Sequence, residues 1–199
     1  MAKQLPFRLT LASGSPARRQ LLARAGYPFE VRPANIAEPD FAGFTDPRTL
    51  VHHTAWLKAA AVAPQVVGGV VLAADTVGWL HGRGIGKPED EADARRILRT
   101  LGGTVHELWT GVVLWRRPDD LQVCWQEVSR VAFRALTDAE LDRYLATRQW
   151  EGCSGAYAIQ EEGDPYIRVE EGSVSNVIGL PMETTVMMLQ AVAGIPPLR

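Results

Sequence analysis

The feature that most restricts the fold is a continuous apolar run, Gly69-Val70-Val71-Leu72-Ala73-Ala74, which is followed directly by Asp75. A short run rich in β-branched residues is typical of a strand that is buried on both faces. We expect this strand to end at Asp75. The pattern therefore predicts a carboxylate at the terminus of a buried strand.

Capping signals and periodicity predict the elements around this strand. Ser15-Pro16 and Asp46-Pro47 each combine a capping side chain with a proline in the first turn, so each predicts a helix. Glycine or proline then ends these helices, at Gly26 and before Pro64. The other predicted strands are Phe7 to Ala12, Phe29 to Arg32, Val105 to Trp115 and Leu121 to Ala135, with a hairpin in which Val77 to Leu80 and Ile85 flank the turn. The other predicted helices carry Ala94 to Leu101, follow the capping box that begins at Thr137, and run from Thr184 to Ala193.

The order of these elements predicts the fold class. Strands and helices are mixed without a regular βαβ rhythm, which favours a mixed α/β protein with a bent or elongated sheet. The sequence contains no internal repeat, no low-complexity segment and no linker long enough to separate independent units. We therefore expect one continuous domain over residues 1–199.

Composition excludes several classes of protein. Lys and Arg number 21 against 23 Asp and Glu, so the formal net charge of −2 gives no general reason to coat nucleic acid. The longest uncharged stretch, Ala59 to Ala74, contains a proline and two glycines and is shorter than the ~18 apolar residues of a membrane span. The N-terminus lacks the apolar core of a secretory signal, so we expect a cytoplasmic protein. Cys124 and Cys153 form no C-x-x-C pair, so any metal should be held by oxygen.

The segment from Leu11 to Arg19 is the first candidate site. A strand that passes through a small polar loop into a helix exposes backbone N–H groups and the positive end of the helix dipole, while Arg18 and Arg19 add permanent charge. These features predict a phosphate cradle, although neither the Walker motif nor the dinucleotide motif is present. The alternative is a capped surface helix with two solvated arginines, and this segment alone does not decide between them.

Asp75-Thr76 and Lys87 form the second candidate site. An acid at the end of a buried strand commonly faces the crevice in which α/β proteins bind ligands, and a lysine beyond a hairpin can return to that crevice. Such a carboxylate holds Mg²⁺ or orients a water, and such an ammonium neutralises charge on a phosphoryl group. The alternative is an Asp that caps a turn and a solvated Lys.

Glu38 and Asp40 lie in a proline-containing loop, where acids are usually solvated, but two nearby carboxylates could complete a Mg²⁺ shell. His52-His53 is not expected to hold a shared metal, because adjacent residues on a helix point about 100° apart. Trp109, Trp115 and Trp125 are interpreted as packing residues rather than as a platform for stacking bases.

Several segments occur in the order found in one family, and the chain resembles the Maf proteins from Leu9 to about Thr184. Maf proteins are nucleotide pyrophosphatases that convert a nucleoside triphosphate to its monophosphate and pyrophosphate with a divalent metal. The resemblance implies a two-lobed α/β fold around a central cleft, with a mixed elongated sheet and flanking helices. It also implies structural kinship with the inosine-triphosphate pyrophosphatases, and dimers are frequent in the family. The shared segments are Leu11-Ala12-Ser13-Gly14-Ser15-Pro16, Ala74-Asp75-Thr76, Gly86-Lys87-Pro88, Leu101-Gly102-Gly103 with His106 and Thr110-Gly111, Gly155-Ala156-Tyr157-Ala158-Ile159-Gln160, and Gly179-Leu180-Pro181.

The resemblance also implies roles for individual residues. It assigns Asp75 as the proton acceptor, with Lys87 beside it in catalysis and phosphate contact. Glu38, together with Asp75, would hold the Mg²⁺ or Mn²⁺ ion or its water. The further phosphate contacts that it implies are Ser13, Arg18 and Lys58.

Two departures from the family pattern concern specificity and a local loop. In members that resemble dTTP/UTP pyrophosphatases, an Arg after Ser-Pro acts in base selection with the residues matched here by Thr76 and Gln160. This chain has Ala17 instead, so we expect a pyrimidine preference with looser discrimination between bases. Gly152-Cys153-Ser154 stands where many members have Asp-Lys-Ala, which removes a charge pair.

Three other functions compete with a pyrimidine-selective enzyme. The resemblance also allows a pyrophosphatase of the 7-methyl-GTP type, or a nucleotide-binding regulator of septum formation without significant turnover. A pure sensor needs phosphate contacts but no base, so Asp75 and Lys87 favour an enzyme. An RNA-binding module is disfavoured by the net charge and by the lack of a Lys/Arg stripe. We expect a nucleoside triphosphate as partner and a homodimer as an option, with neither nucleic acid nor membrane.

Overall fold

The computed structural model describes residues 5–39, 43–159 and 164–196. Within them, seven strands form one sheet in the order β2-β1-β3-β5-β6-β7, and β4 pairs with β3. No helix in these ranges is long and apolar enough to cross a membrane. The elements are β1 (Leu9–Leu11), α1 (Pro16–Arg24), β2 (Glu30–Val31), α2 (Pro47–Val62), β3 (Gly69–Leu80), β4 (Arg83–Ile85), α3 (Glu91–Leu101), β5 (Thr104–Arg117), β6 (Gln122–Phe133), α4 (Asp138–Ala146), β7 (Ile167–Glu171), α5 (Val174–Ile178) and α6 (Met182–Gly194).

Strand β3 is longer than its sequence predicts. It runs Gly69–Leu80, so Asp75 lies in its interior, and the expectation that the strand ends there is wrong. The cause is β5, which pairs antiparallel with β3 from Gly69 opposite Arg117 to Trp79 opposite Glu107. Because this ladder continues past the carboxylate, the polar residue does not end the strand.

The other edge of β3 changes partner along its length. Strand β1 is parallel to β3 and pairs with it up to Leu11 opposite Leu72, whereas β4 pairs antiparallel from Gly78 onwards. No described strand pairs with the intervening residues 73–77 on this edge. Asp75 and Thr76 are partly exposed at this interruption, which we call the edge gap, although their neighbours in β3 are buried.

The described residues form four clusters of buried apolar side chains, and two of these clusters lie at opposite ends of the long strands. One packs α3 and α4 against the end of the sheet that contains Leu80, Leu108 and Phe133. The other packs α1 and α6 against the end that contains β1 and Val70. The expected mixed α/β fold with an elongated sheet and two lobes is therefore confirmed.

Side-chain caps explain the starts of α1 and α2. Two short elements in the glycine-rich part of the chain are not predicted from the sequence. Ser15 accepts a hydrogen bond from the Arg18 N–H, and Asp46 accepts one from the Arg48 N–H, as the sequence predicts. Beyond Trp150 the pattern gave only short apolar pieces, but the chain forms β7 and α5 there. Each has only five residues, too few for a clear period.

Helix α2 lies directly on β5 at Gly111. A Cβ built on Gly111 would be 2.4 Å from the Val51 carbonyl oxygen and 2.9 Å from the His52 nitrogen. Both atoms belong to the helix backbone, which cannot rotate away as a side chain does. Since Gly111 is opposite Asp75 in the sheet, this contact also sets how closely α2 approaches the cleft carboxylate.

We expect Gly111→Ala to lower the free energy of unfolding by about 1–3 kcal/mol, because the new methyl group overpacks the helix backbone. Gly68→Ala is the matched control, since a Cβ at Gly68 has no heavy atom within 4 Å. Urea unfolding of both variants measures the difference. Equal stabilities would contradict the packing argument.

Candidate active site

A cleft of about 1200 Å³ lies between the two lobes, beside the edge gap of β3. Its walls come from the loop after β1, α1, the loop after β2, α2 and β3, and from the chain between α4 and β7. The site residues that are expected from the sequence and that line this cleft are Ser13, Ala17, Arg18, Glu38, Lys58, Asp75, Thr76 and Lys87. Gln160 and Asp40 lie outside the described residues.

Lys58 joins two carboxylates at the floor of the cleft. Its ammonium lies 2.7 Å from Asp75 Oδ1 and 2.7 Å from Glu38 Oε1. The Lys58 and Asp75 side chains are only 11% and 13% exposed, whereas Glu38 is 48% exposed. A buried ammonium needs charged partners, so this triad holds α2, β3 and the Glu38 loop together. The family resemblance implies only a phosphate contact for Lys58, and nothing in the sequence predicts its pairing with both acids.

The Glu38 carboxyl is surrounded by positive charge. Partial burial opposes its ionisation, but the hydrogen bond from Lys58 and the charges of Lys58, Lys87 and Arg18 outweigh burial. The pKa of Glu38 is therefore lowered from its ordinary value. The carboxylate form is favoured where a cation or an oriented water would be bound.

Arg18 is anchored by three parts of the cleft wall. Its Nε donates to the Gly179 carbonyl at 2.7 Å, Nη2 donates to Thr76 Oγ1 at 3.0 Å, and Nη1 donates to Ser13 Oγ at 3.4 Å. Burial lowers the Arg18 pKa, while the charges of Asp75 and Glu38 act in the opposite direction. The guanidinium is thus a fixed cation of the cleft rather than a solvated surface group, so the surface-helix alternative is wrong for this residue.

The remaining predicted residues occupy different depths. Ser13 is buried, and its hydroxyl also accepts from the Ser15 N–H at 3.2 Å. Ala17 is partly buried on the cleft side of α1, and Lys87 is exposed at the rim. Arg19 is exposed and does not line the cleft, as expected for a solvated arginine.

Tyr157 is a cleft residue that sequence reasoning did not single out. It is buried, and its hydroxyl lies 2.7 Å from His106 Nε2. Desolvation lowers the pKa of His106 to about 4, so this imidazole is neutral at pH 7. The pair belongs to two segments of the family resemblance, but nothing in either segment indicates that they meet. It fixes the wall that follows Gly152-Cys153-Ser154, which also lines the cleft.

The sequence of this chain matches a family profile and several named proteins over most of its length. The family profile described as "Maf: Maf-like protein" matches residues 8–192. This chain belongs to the Maf-like family. A dTTP/UTP pyrophosphatase of Anaeromyxobacter dehalogenans (strain 2CP-C) is 47% identical over 191 residues, covering 95% of each chain. The dTTP/UTP pyrophosphatase of Rhodopirellula baltica is 40% identical over 186 residues, covering 93% of this chain and 82% of that protein. One from Bacillus cereus is 36% identical over 183 residues, covering 92% of this chain and 94% of that protein.

A solved structure supports the fold of this Maf-like chain. The Staphylococcus aureus Ham1 protein matches with a TM-score of 0.52 over 93% of this chain and 97% of that chain. Sequence identity is 14%, so the likeness concerns the fold alone.

The donor set of the cleft fits a hard divalent cation. No group of three or more His, Cys, Asp and Glu that could hold a metal occurs within residues 5–39, 43–159 and 164–196. Mg²⁺, however, is usually bound through one or two carboxylates plus substrate phosphates and waters. Glu38 and Asp75 contact the same ammonium and so lie close together, which suits that mode of binding.

We expect Lys58→Met to raise the pKa of Glu38, because the variant removes both the hydrogen bond and the nearest charge that lower it. Lys87→Met is the matched control and should raise this pKa less, since Lys87 contributes charge without a hydrogen bond. Carboxyl ¹³C NMR titration measures both values.

The lowered pKa of Glu38 also makes the stability of the fold depend on pH. A lowered pKa in the folded state stabilises the protein above the ordinary pKa of Glu, and this contribution is lost as pH falls through the lowered pKa. The decrease in the free energy of unfolding that Glu38 causes at acidic pH should therefore be smaller in Lys58→Met. An unchanged Glu38 titration in that variant would show that Lys58 does not control the carboxylate.

Proposed function

We propose that this protein is a nucleoside triphosphate pyrophosphatase that cleaves between the α and β phosphates and prefers pyrimidine nucleotides. The observation that carries the proposal is the Glu38-Lys58-Asp75 triad, which shares one cleft with the anchored cation Arg18. The names of the relatives support the reaction and the base preference, because dTTP/UTP pyrophosphatases match this chain over most of its length.

Asp75 is the proposed general base. Hydrolysis of a phosphoanhydride requires a water that is oriented and deprotonated as it attacks the phosphorus. The Asp75 carboxylate lines the cleft from the interior of a strand, and Lys58 fixes one of its oxygens. A rigid strand and a charged hydrogen bond hold the base in one orientation, which favours attack.

The cations of the cleft are the proposed phosphate contacts. Arg18 and the Ser13 hydroxyl line the cleft at the loop that leads into α1, and Lys87 lines it from the chain between β4 and α3. They offset the negative charge that develops on the departing pyrophosphate. Lys58 contributes positive charge at the floor while it keeps both acids in place.

Mg²⁺ or Mn²⁺ is the proposed cofactor, with Glu38 and Asp75 as its protein ligands. When bound, the ion acts as a Lewis acid that withdraws charge from the phosphoryl oxygens. The two carboxylates support a hard cation, because Mg²⁺ is usually held by one or two carboxylates together with substrate phosphates.

Base selection is proposed to involve Ala17 and Gln160. A glutamine amide offers one donor and one acceptor group, which can pair with the O4 and N3–H edge of thymine or uracil. Ala17 lines the cleft without a guanidinium, so discrimination among pyrimidines and purines should be loose. The single domain over 1–199, the cytoplasmic location and the homodimer stay predictions from the sequence.

The direct test is pyrophosphate release from dTTP, UTP, CTP, GTP and 7-methyl-GTP with Mg²⁺ or Mn²⁺. We expect the highest kcat/KM for dTTP or UTP. Asp75→Asn should lower kcat by on the order of 10²-fold, because it removes the base but nearly keeps the shape of the side chain.

Asp142→Asn is the control for this experiment, since Asp142 is an exposed acid outside the cleft. A folded Asp75→Asn variant with normal turnover would remove Asp75 from the mechanism. A strong preference for 7-methyl-GTP would overturn the pyrimidine assignment and leave the cleavage reaction intact. Release of inorganic phosphate instead of pyrophosphate would overturn the reaction itself.

Arg18 and Arg19 are adjacent in α1, so a variant of one serves as the control for a variant of the other. Arg18→Ala should lower kcat/KM by roughly 30-fold or more, since a charge-assisted contact to a transferring group contributes about 2–4 kcal/mol. Arg19→Ala removes the same charge from the exposed side of α1 and should leave kcat/KM within about twofold. Steady-state kinetics on dTTP compares the two, and a larger loss in Arg19→Ala would contradict the assignment.

A further inference from the structure

The Thr76 hydroxyl is surrounded by protein hydrogen-bond partners. Its Oγ1 accepts from Arg18 Nη2 at 3.0 Å and lies 2.9 Å from Thr110 Oγ1. It also lies 3.4 Å from the Gly179 carbonyl oxygen. Thr110 is fully buried, and its hydroxyl can donate in turn to the Asn176 carbonyl at 3.4 Å.

Proton counting limits what Thr76 can offer a ligand. A threonine hydroxyl has one proton to donate. That proton goes to Thr110 or to the Gly179 carbonyl, the two partners within reach, while Arg18 donates to a lone pair of the same oxygen. In either arrangement the proton is used inside the protein. Thr76 therefore donates to a ligand only if one of these bonds is broken, whereas a second lone pair of Oγ1 is open to an N–H donor when Thr76 itself donates.

We propose that Thr76 and Thr110 are positioning residues that fix the Arg18 guanidinium for the triphosphate. This inference rests on the proposed function, in which Arg18 contacts phosphate. The hydrogen bonds form a chain from Arg18 through Thr76 and Thr110 to the Asn176 backbone. Three of the five N–H groups of the guanidinium donate hydrogen bonds to protein oxygens. The remaining two can donate to an anion.

The chain ends on a rigid support. Asn176 is fully buried in α5, and its side-chain amide donates to the Leu108 carbonyl at 3.2 Å and to Ser129 Oγ at 2.9 Å. These bonds hold α5 against β5 and β6. The Gly179 carbonyl, which accepts from Arg18, follows directly after this helix.

Gly179 shows how little space surrounds the anchored cation. Its φ is +121°, and a Cβ there would lie 3.4 Å from Thr76 Oγ1 and 3.5 Å from Arg18 Nε and Nη2. The glycine backbone approaches both side chains closely and presents its carbonyl to them. Gly179 and Thr76 thus hold Nε and Nη2 of Arg18 from adjacent positions, since the Gly179 carbonyl oxygen and Thr76 Oγ1 lie 3.4 Å apart.

The experiment uses a base-free probe, inorganic tripolyphosphate, with binding measured by calorimetry on the full chain. We expect Thr76→Val to weaken tripolyphosphate binding by about tenfold, the loss of one orienting hydrogen bond to a charged group. The kcat/KM values for dTTP, UTP, CTP and GTP should all fall, because each nucleotide carries the triphosphate that Arg18 is proposed to contact. Thr76→Ser keeps the hydroxyl and should restore binding.

Thr110→Val is the second variant and should weaken tripolyphosphate binding in the same direction by about threefold, because its effect passes through Thr76. Thr185→Val is the matched control. Thr185 is fully buried in α6 outside the cleft, and its hydroxyl has no hydrogen-bond partner among the described residues, so binding should be unchanged. Circular dichroism verifies that each variant is folded, and Thr110→Val decides the matter if Thr76→Val does not fold.

Two results would overturn the inference: wild-type affinity for tripolyphosphate in both folded variants, or altered ratios of kcat/KM between bases in Thr76→Val with unchanged tripolyphosphate binding. The latter would make Thr76 a base-reading residue. Failure of the proposed function looks different. In that case the wild type releases no pyrophosphate from any nucleotide, while tripolyphosphate binding and its dependence on Thr76 are still observed.

Discussion

The ammonium of Lys58 connects three separately folded parts of the cleft. Lys58 comes from α2, Asp75 from β3 and Glu38 from the loop after β2. A charge that is removed from water destabilises a fold unless it is paired with opposite charge. The buried Lys58 ammonium is therefore tolerated only when all three segments are in place. The close contact of α2 with Gly111 places the helix near enough to the sheet for Lys58 to reach Asp75. Packing and electrostatics thus specify the same arrangement.

Much of the fold follows from local patterns, while strand length does not. The apolar run over residues 69–74 predicts a buried strand, and the capping signals at Ser15 and Asp46 predict two helix starts correctly. The continuation of β3 past Asp75 depends on pairing with residues of β5 that lie between 28 positions (Trp79 with Glu107) and 34 positions (Thr76 with Thr110) further along the chain. A local window cannot contain that information. The same holds for β7, whose partner β6 is far away in sequence.

The candidate site shows the same division. Residue types and helix caps make Arg18 and Asp75 candidates for a cleft, because a helix start exposes N–H groups to an anion and an acid near the end of a buried strand commonly faces the ligand crevice. Nothing in the sequence around Lys58 indicates that it pairs with both acids, since its partners are brought to it by the fold. Thr110 was visible only as part of a family segment. Its hydrogen bond to Thr76 arises from cross-strand register, in which the two residues are direct neighbours.

The edge gap of β3 lets both faces of one sheet serve a single cleft. Successive residues of a strand point to opposite faces, so Asp75 meets Lys58 on the side of α2 while Thr76 meets Arg18 on the side of α1 and α5. A closed sheet edge would separate these two side chains into different environments. The alignment of β3 with β5 consequently assigns acid chemistry to one side and cation anchoring to the other. A slip of one residue would exchange the carboxylate and the hydroxyl between the two faces, so strand register decides which group each side of the cleft receives.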